Sequence, residues 1–331
     1  MNSFGRIFRV HIFGESHGES VGIVIDGCPA GLPLTADDLL PDLERRKGGK
    51  QKGTTPRQEA DYPFFKSGVF NDKTTGAPIT ILFENNNTRS GDYEKQRSFP
   101  RPGHADFVAH EKYGGNEDFR GGGHFSARLT TGLVAAGAIA KKLMQGVTVS
   151  AQVTAIGGET DLEKGLQNAI DAKDSVGGLV ECRVTGLPLG LGEPFFDSVE
   201  SQIAHIAFAI PAVKGIEFGS GFAAAKMFGT QHNDMIENME GKTTTNHAGG
   251  IVGGITNGNE LVFRIAIKPT ASTPKQQHSL NWETGQMEDF SIKGRHDLCV
   301  ALRAPVILEA ATALALADLM MLENRIPRIW K

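Results

Sequence analysis

Residues 13 to 18 read Phe13-Gly14-Glu15-Ser16-His17-Gly18. A histidine flanked by glycine, with an acid and a hydroxyl just before it, lies on backbone that can approach a ligand closely. Imidazole is also the side chain best suited to moving a proton near neutral pH. A second histidine follows a rigid turn in Arg101-Pro102-Gly103-His104-Ala105-Asp106, with a carboxylate two residues on to orient the ring. The run Arg120-Gly121-Gly122-Gly123-His124-Phe125-Ser126-Ala127-Arg128 feeds glycine-rich backbone into a helix N-terminus. Such backbone is a natural anion cradle, and arginines at both ends favour that reading over a tight loop merely capped by Ser126.

Three further clusters have the same density. Asn246-His247-Ala248-Gly249-Gly250, with Gly253-Gly254 behind it, is a loop whose backbone passes close to something. Lys268-Pro269-Thr270-Ala271-Ser272 ends a strand with a cation and two hydroxyls, suited to an oxyanion or a ring carbonyl. Gly294-Arg295-His296-Asp297 again joins cation, imidazole and carboxylate. Arg45, Arg46 and Lys47 close a helix, where the dipole alone favours cations. Lys50, Lys52 and Arg57 continue the positive charge into a loop, making a mobile patch suited to phosphate.

The elements that must position these groups mix strand and helix. Arg6 to Phe13, Val21 to Asp26 and Ile79 to Glu84 carry strand patterns, as do stretches near 147–156 and 179–185, Val213 to Phe218 and Leu261 to Lys268. Thr35 opens a helix to Lys47 in which Pro41 predicts a kink or a late start. Residues 48–60 read as a mobile loop and 85–124 as a long, mostly irregular functional stretch. Ser126 to Gln145 and Ala304 to Glu323 are alanine-rich helices able to pack closely. Capping-box spacings at Thr160/Glu163 and Asp197/Glu200 predict two more. Each long helix follows strands and an arginine-bearing polar cluster, which points to two related halves. The fold class is α+β, with long central helices packed against antiparallel sheets, and residues 1–331 form one domain of two intimately packed halves.

Composition excludes several classes. With 331 residues, 40% hydrophobic and 22% charged, the chain is an ordinary globular protein with a large core. A net charge of −4 argues against a general nucleic-acid binder. Cys28, Cys182 and Cys299 form neither a disulfide framework nor a metal spacing, so a reducing compartment is expected. Arg6, Arg9 and His11 interrupt any apolar leader, and no apolar run approaches a membrane span; the expectation is a cytoplasmic protein with no membrane partner and no metal.

Taken in order along the chain, Phe13 to Gly18, Arg101 to Asp106, Arg120 to Arg128, Asn246 to Gly250, Lys268 to Ser272 and Gly294 to Asp297 resemble the chorismate synthase family over nearly the full length. The resemblance implies a β-α-β sandwich with an internal two-fold, assembled as a homotetramer. It implies 1,4-elimination of phosphate from 5-enolpyruvylshikimate 3-phosphate to give chorismate, the last step of the shikimate pathway. Reduced FMN is required without net redox change, and NADPH is a possible reductant. By position, His17 and His104 resemble the two catalytic imidazoles, His17 for the departing phosphate and His104 for the reduced flavin. Asp297 resembles the carboxylate that works with flavin N5 in removing the ring proton. His124, Phe125, Ser126, Pro211, Ala212, Gly253, Lys268, Pro269, Thr270, Ala271, Ser272 and Arg295 fall where the family binds FMN. Arg46 and Lys52 fall where it holds phosphate or NADPH, and Arg128 is a further anion contact.

The chain departs from the commoner family pattern at His124-Phe125, where many members carry Arg-Ser. It departs again at Lys52, where arginine is frequent, and at Pro211, often a polar position. Lysine keeps the charge and loses the planar fork. The region around 157–178 and the C-terminus are short. Two rival readings are weaker. A dinucleotide-dependent oxidoreductase lacks its Gly-x-Gly-x-x-Gly fingerprint. An RNA-binding module using Arg101, Arg120 and Arg128 beside Phe119 and Phe125 conflicts with the acidic balance.

Overall fold

The strand Ile79–Glu84 buries Ile79, Ile81 and Phe83 on one face and leaves Thr80 and Leu82 more open, the period-two pattern of a sheet with a single core face. It lies inside an antiparallel sheet of strand order Ser3–Phe4, Arg9–Gly14, Ser20–Asp26, Ile79–Glu84, Phe64–Ser67. The second half of the chain builds another antiparallel sheet, in the order Val213–Phe218, Leu261–Ile267, Gly178–Thr185, Thr148–Ile156. Each half contributes one long helix, Thr130–Leu143 and Ala304–Leu322. These observations come from a computed structural model that describes every residue except Lys50, Gln58, 88–96, Lys293 and Arg295.

The two long helices lie between the sheets and touch each other where side chains are smallest. A β-carbon at Gly137 would collide with Ala310, and one at Gly132 would stand 3.1 Å from Ile23 of the first sheet. The alanine faces therefore do what the sequence predicts. They let two helices approach more closely than leucine would allow. One hydrophobic core runs through both sheets and both helices, giving the expected α+β sandwich.

Val300–Leu322 is, by length and hydropathy alone, apolar enough to cross a membrane, contrary to the expectation that no run approaches that length. Its apolar surface is instead buried in the core, and a helix that is hydrophobic all round is what such a position requires. Its two carboxylates are fully employed. Asp318 accepts the amides of Arg6, Ile7 and Phe8 at 2.9, 2.7 and 2.8 Å. Glu309 takes Arg45 at 2.7 Å on each oxygen, Lys141 at 2.8 Å and the Ala151 amide at 3.0 Å. Those three partners tie the first helix and both long helices to the second sheet.

Local details differ from expectation in physical ways. Pro41 produces a late start, and the helix spans Leu40–Arg46 with proline in its first turn, where its missing amide is harmless. Asp161, not Thr160, caps Leu162–Ala172, and Ser198, not Asp197, caps Val199–Ala207; in each the cap residue lies one position later than the spacing suggests. The stretch 85–124 contains a helix, Asp106–Tyr113, which buries only Ala109 and so carries no apolar periodicity to read.

We expect Gly137→Leu to destabilise the protein by at least about 2 kcal/mol, as overpacking of a filled contact does. A denaturant midpoint equal to wild type would contradict the packing described.

Candidate active site

The strand Arg9–Gly14 ends at Gly14, whose φ of +99° and contact with Ser20 leave no place for a side chain. The turn that follows presents Ser16 and His17. It is held by Asn85 Nδ2, which donates to the carbonyls of Glu15 and Gly18 at 3.1 and 2.9 Å, and by the Ser16 amide, which donates to Gly123 at 3.0 Å. Gly121, Gly122 and Gly123 all have positive φ, at 64°, 91° and 51°. A β-carbon at Gly121 would stand 2.6 Å from His17 Nε2, one at Gly122 3.1 Å from His104 Cε1, and one at Gly123 would collide with the Asp118 carbonyl. The glycine run thus threads between two imidazoles that lie far apart in sequence.

His104 is oriented as its neighbours suggested. Its Nδ1 lies 2.6 Å from Asp106 Oδ1, and Arg101 grips the same carboxylate through Nε at 2.6 Å and Nη2 at 2.7 Å. Burial pushes the Asp106 carboxyl up, but the Arg101 and His104 contacts outweigh it and hold it well below the usual carboxylate range. Arg101 Nη2 also approaches His104 Nδ1 at 3.1 Å. An ionised Asp106 accepts the Nδ1 proton, which leaves Nε2 as the nitrogen that exchanges protons. His17, 8% exposed, is held below its ordinary 6.5 chiefly by burial and then by Arg57 and Arg120, with Asp118 and Glu59 opposing.

His104, Arg101, Arg57 and Gly121 border a cavity of about 820 Å³, within the size range of small-molecule sites. Asp297 lines it, accepting the Thr55 amide at 2.8 Å and Arg303 Nη1 at 3.0 Å. His104, His124, Phe125, Ser126, Pro211, Ala212, Lys268, Thr270, Ala271, Ser272, Arg46 and Arg128 line it as well. Ser16 is on the wall, and His17 stands beside it against Gly121. Pro269 bridges two lining residues, and its carbonyl lies 3.4 Å from Lys268 Nζ. Gly253 lies instead in the turn of the hairpin Ile251–Val252/Ile255–Thr256, with nothing within 4 Å of a would-be β-carbon. Lys52 points away to Gln167 Oε1 at 3.0 Å. Arg295 falls outside the described residues.

Two of the expected anion contacts are committed to a carboxylate. Arg46 and Arg128, 3% and 6% exposed, both grip Asp61, Arg46 at 2.9 Å. Burial raises the Asp61 carboxyl, and the two guanidiniums more than offset it, so it stays depressed. Ser126 Oγ accepts the Arg128 amide at 3.2 Å, which is a cap. His124 spends one ring nitrogen on the Gly14 carbonyl at 2.8 Å and places the other 3.1 Å from Asn2 Oδ1. Thr270 Oγ1 is buried with no hydrogen-bond partner among the described residues, and burial followed by Lys214 lowers the Lys268 ammonium. An orphaned hydroxyl and an accessible cation on one wall fit a polar ring system such as a flavin. Sequence reasoning did not select Asp61, Thr55, Glu59 or Arg303, because their importance lies in long-range pairings that carry no local motif.

An imidazole held by Asp106, a second imidazole behind Gly121, a fixed carboxylate and a cationic wall at one cavity suit an enzyme that moves protons on an anionic small molecule. The chorismate synthase family model matches residues 8–321. A chorismate synthase of Chitinophaga pinensis is 71% identical over the whole of both chains. One of Dehalococcoides mccartyi is 44% identical over 100% of this chain and 99% of its own. A solved structure described as a crystal structure of chorismate synthase superposes with a TM-score of 0.73 at 27% identity, covering 96% of this chain and 93% of that one. The chain belongs to the chorismate synthase family. It is a lyase with chorismate synthase activity, and membership brings with it a flavin cofactor class and a small-molecule substrate.

Two outcomes follow. Asp61→Asn leaves two buried guanidiniums unpaired and should cost about 3–5 kcal/mol of stability. The Asp61 carboxyl is depressed when folded, so its stabilisation is complete above its ordinary 3.8 and is lost as pH falls through the folded value. The melting-temperature gap between variant and wild type should therefore shrink only in strong acid; a gap of zero at pH 7 would contradict the pairing. Asp106→Asn should keep the fold and lower turnover by at least about a hundredfold, because the amide no longer fixes the Nδ1–H tautomer. Phosphate release at the wild-type rate would contradict that orientation.

Proposed function

We propose that this cavity carries out the 1,4-elimination of phosphate from 5-enolpyruvylshikimate 3-phosphate with His17, His104 and Asp297 as its proton-handling groups. The observation that carries the reading is that His104 and Asp297 line one cavity while His17 lies against Gly121 of its wall, next to Ser16. His17 gives a proton to the departing phosphate. His104, its Nδ1–H committed to Asp106, offers Nε2 to the reduced flavin. Asp297, fixed by the Thr55 amide and Arg303, removes the ring proton. Positioned donors and fixed charges around the leaving group are what breaking an allylic C–O bond requires.

Reduced FMN is the form of flavin we infer, held by His124 to Ser126, Pro211-Ala212 and Lys268 to Ser272. When bound, it supplies an electron-rich ring beside the substrate, with no net redox change. Arg295 belongs to the same reading by family position. So does Gly253, which sits on the exposed hairpin. NADPH as reductant enters through Lys52, which is exposed, and not through Arg46, which Asp61 occupies. We further read residues 1–331 as one domain, cytoplasmic, with no nucleic-acid or membrane partner. Assembly as a homotetramer belongs to the same reading by family, and Phe195, Phe196, Phe222, Phe228 and Met239 are exposed apolar side chains that contacts between copies could cover.

Anaerobic incubation with 5-enolpyruvylshikimate 3-phosphate and chemically reduced FMN should release chorismate and phosphate in equal amounts, and oxidised FMN should release neither. His17→Ala, His104→Ala and Asp297→Asn should each lower kcat by about a hundredfold or more in folded protein. Wild-type turnover in any one of them, with chemistry limiting the rate, removes that residue from the mechanism.

A further inference from the structure

Lys268, Thr270, Ala271 and Ser272 form one wall of the cavity, on chain that has left the strand Leu261–Ile267 and is no longer part of the sheet. Its ends are tied by the Lys268 amide, which donates to the Ala212 carbonyl at 2.9 Å, and by Arg101 Nη1, 3.4 Å from Ser272 Oγ. The middle is held from behind. Ser175 Oγ donates to the Thr270 carbonyl at 2.7 Å. One oxygen of Asp174 accepts the Thr273 hydroxyl at 2.7 Å and the Ser175 amide at 2.8 Å. The Val176 amide donates at 2.9 Å to the carbonyl of Leu298, next to Asp297. A β-carbon on Gly177 would stand 2.5 Å from the Ile267 carbonyl. Four consecutive residues of one turn, none lining the cavity, thus back two stretches that do. The turn is itself fixed: the helix Leu162–Ala172 ends with Lys173 left-handed at φ 51°, and the Asp174 amide closes on the Ala169 carbonyl at 3.1 Å.

We propose that Ser175 is a positioning residue for the flavin and acts through Thr270. The inference rests on the flavin reading given above. Outside a sheet, a peptide plane keeps its orientation only if its own polar groups are engaged. Ser175 engages the Thr270 carbonyl, and so fixes the residue whose Oγ1 is buried with no hydrogen-bond partner among the described residues. A hydroxyl in that state costs free energy until a ligand group satisfies it, and it serves a ligand best when held in place beforehand. Asp174 sets Ser175 in turn by taking its amide, and holds Thr273 with the same oxygen, so the wall is pinned at two points three residues apart. Ser175 stands behind the wall and touches no ligand. Its effect on binding is preorganisation of the residues that do.

Titration of the protein with oxidised FMN, followed by flavin fluorescence, tests this without turnover. Ser175→Ala should weaken FMN binding about five- to tenfold, the worth of one hydrogen bond, while the ligand-free protein melts within a few degrees of wild type. Ser175→Thr keeps the hydroxyl and should bind within about twofold of wild type. Thr270→Val should weaken binding by a similar factor to Ser175→Ala. Adding Ser175→Ala to it should then cost at most about twofold more, because residues that act through one another are not additive. Thr273→Val releases the Asp174 end of the wall and should weaken binding about threefold, which reads the same bracing if Ser175→Ala does not fold. FMN held by Ser175→Ala as tightly as by wild type overturns the proposal. An equal loss in Ser175→Thr does so too, since shape and not the hydrogen bond then matters. So do losses that multiply in the double variant, or a Thr270→Val that binds as wild type. A wild type that binds no FMN overturns the flavin reading and this proposal with it. Binding weakened by Thr270→Val but not by Ser175→Ala leaves the flavin reading standing and removes Ser175 alone.

Discussion

Between His17 and His104 there is no room for a β-carbon, and the rest of the site depends on that. The backbone of Gly121, Gly122 and Gly123 runs with positive φ between the two rings and Asp118. Only glycine adopts such a path without strain, and only glycine leaves the space empty. The consequence is distance. A turn at the end of the Arg9–Gly14 strand and a turn at the start of the Asp106–Tyr113 helix bring their imidazoles against the same glycine run, His17 at Gly121 and His104, which lines the cavity, at Gly122. The Ser16 amide bonded to Gly123 makes the spacer and the His17 turn a single unit.

Around that spacer the charges are arranged to hold walls first and ligands second. A buried ion pair gains little net stability, yet removing one member is severe because the other is stranded. Asp61 between Arg46 and Arg128, Asp106 on Arg101, and Asp297 on Arg303 therefore act as fasteners. Asp61 joins segments remote in sequence, the other two pairs bind residues within six positions of each other, and each keeps a charged group in one orientation before any ligand arrives. Preorganisation of this kind is worth more in a closed cavity than in water, because the fixed groups need not rearrange when charge develops. The helix core beneath, with its Gly137–Ala310 contact, fixes the two halves that carry these fasteners.

What was legible in the sequence follows from what is local. The glycine-flanked His17, the Pro-Gly turn before His104 and the carboxylate two residues later each announce themselves within six positions. The alanine faces likewise announce close helix packing. Residues whose meaning lies in a distant partner were silent. Arg46 and Arg128 read as anion contacts because sequence shows charge and not burial, and Asp61 offers no motif by which to foresee the pairing. The glycine run read as an anion cradle, since φ and close approach look alike on paper whether the neighbour is phosphate or imidazole. The caps shifted by one residue, to Asp161 and Ser198, because several acceptors in a row satisfy the same pattern.

The central claim is that the two imidazoles work together because glycine spaces them, and one comparison tests it. Gly121 and Gly158 both have positive φ, at 64° and 85°, so alanine strains the backbone similarly at either. At Gly121 its β-carbon meets His17, and at Gly158 it meets nothing within 4 Å. Chorismate formation from 5-enolpyruvylshikimate 3-phosphate should fall by about a hundredfold in Gly121→Ala, as small misplacements at a reacting centre do, and stay within a few-fold of wild type in Gly158→Ala. Equal rates in the two variants would contradict the account.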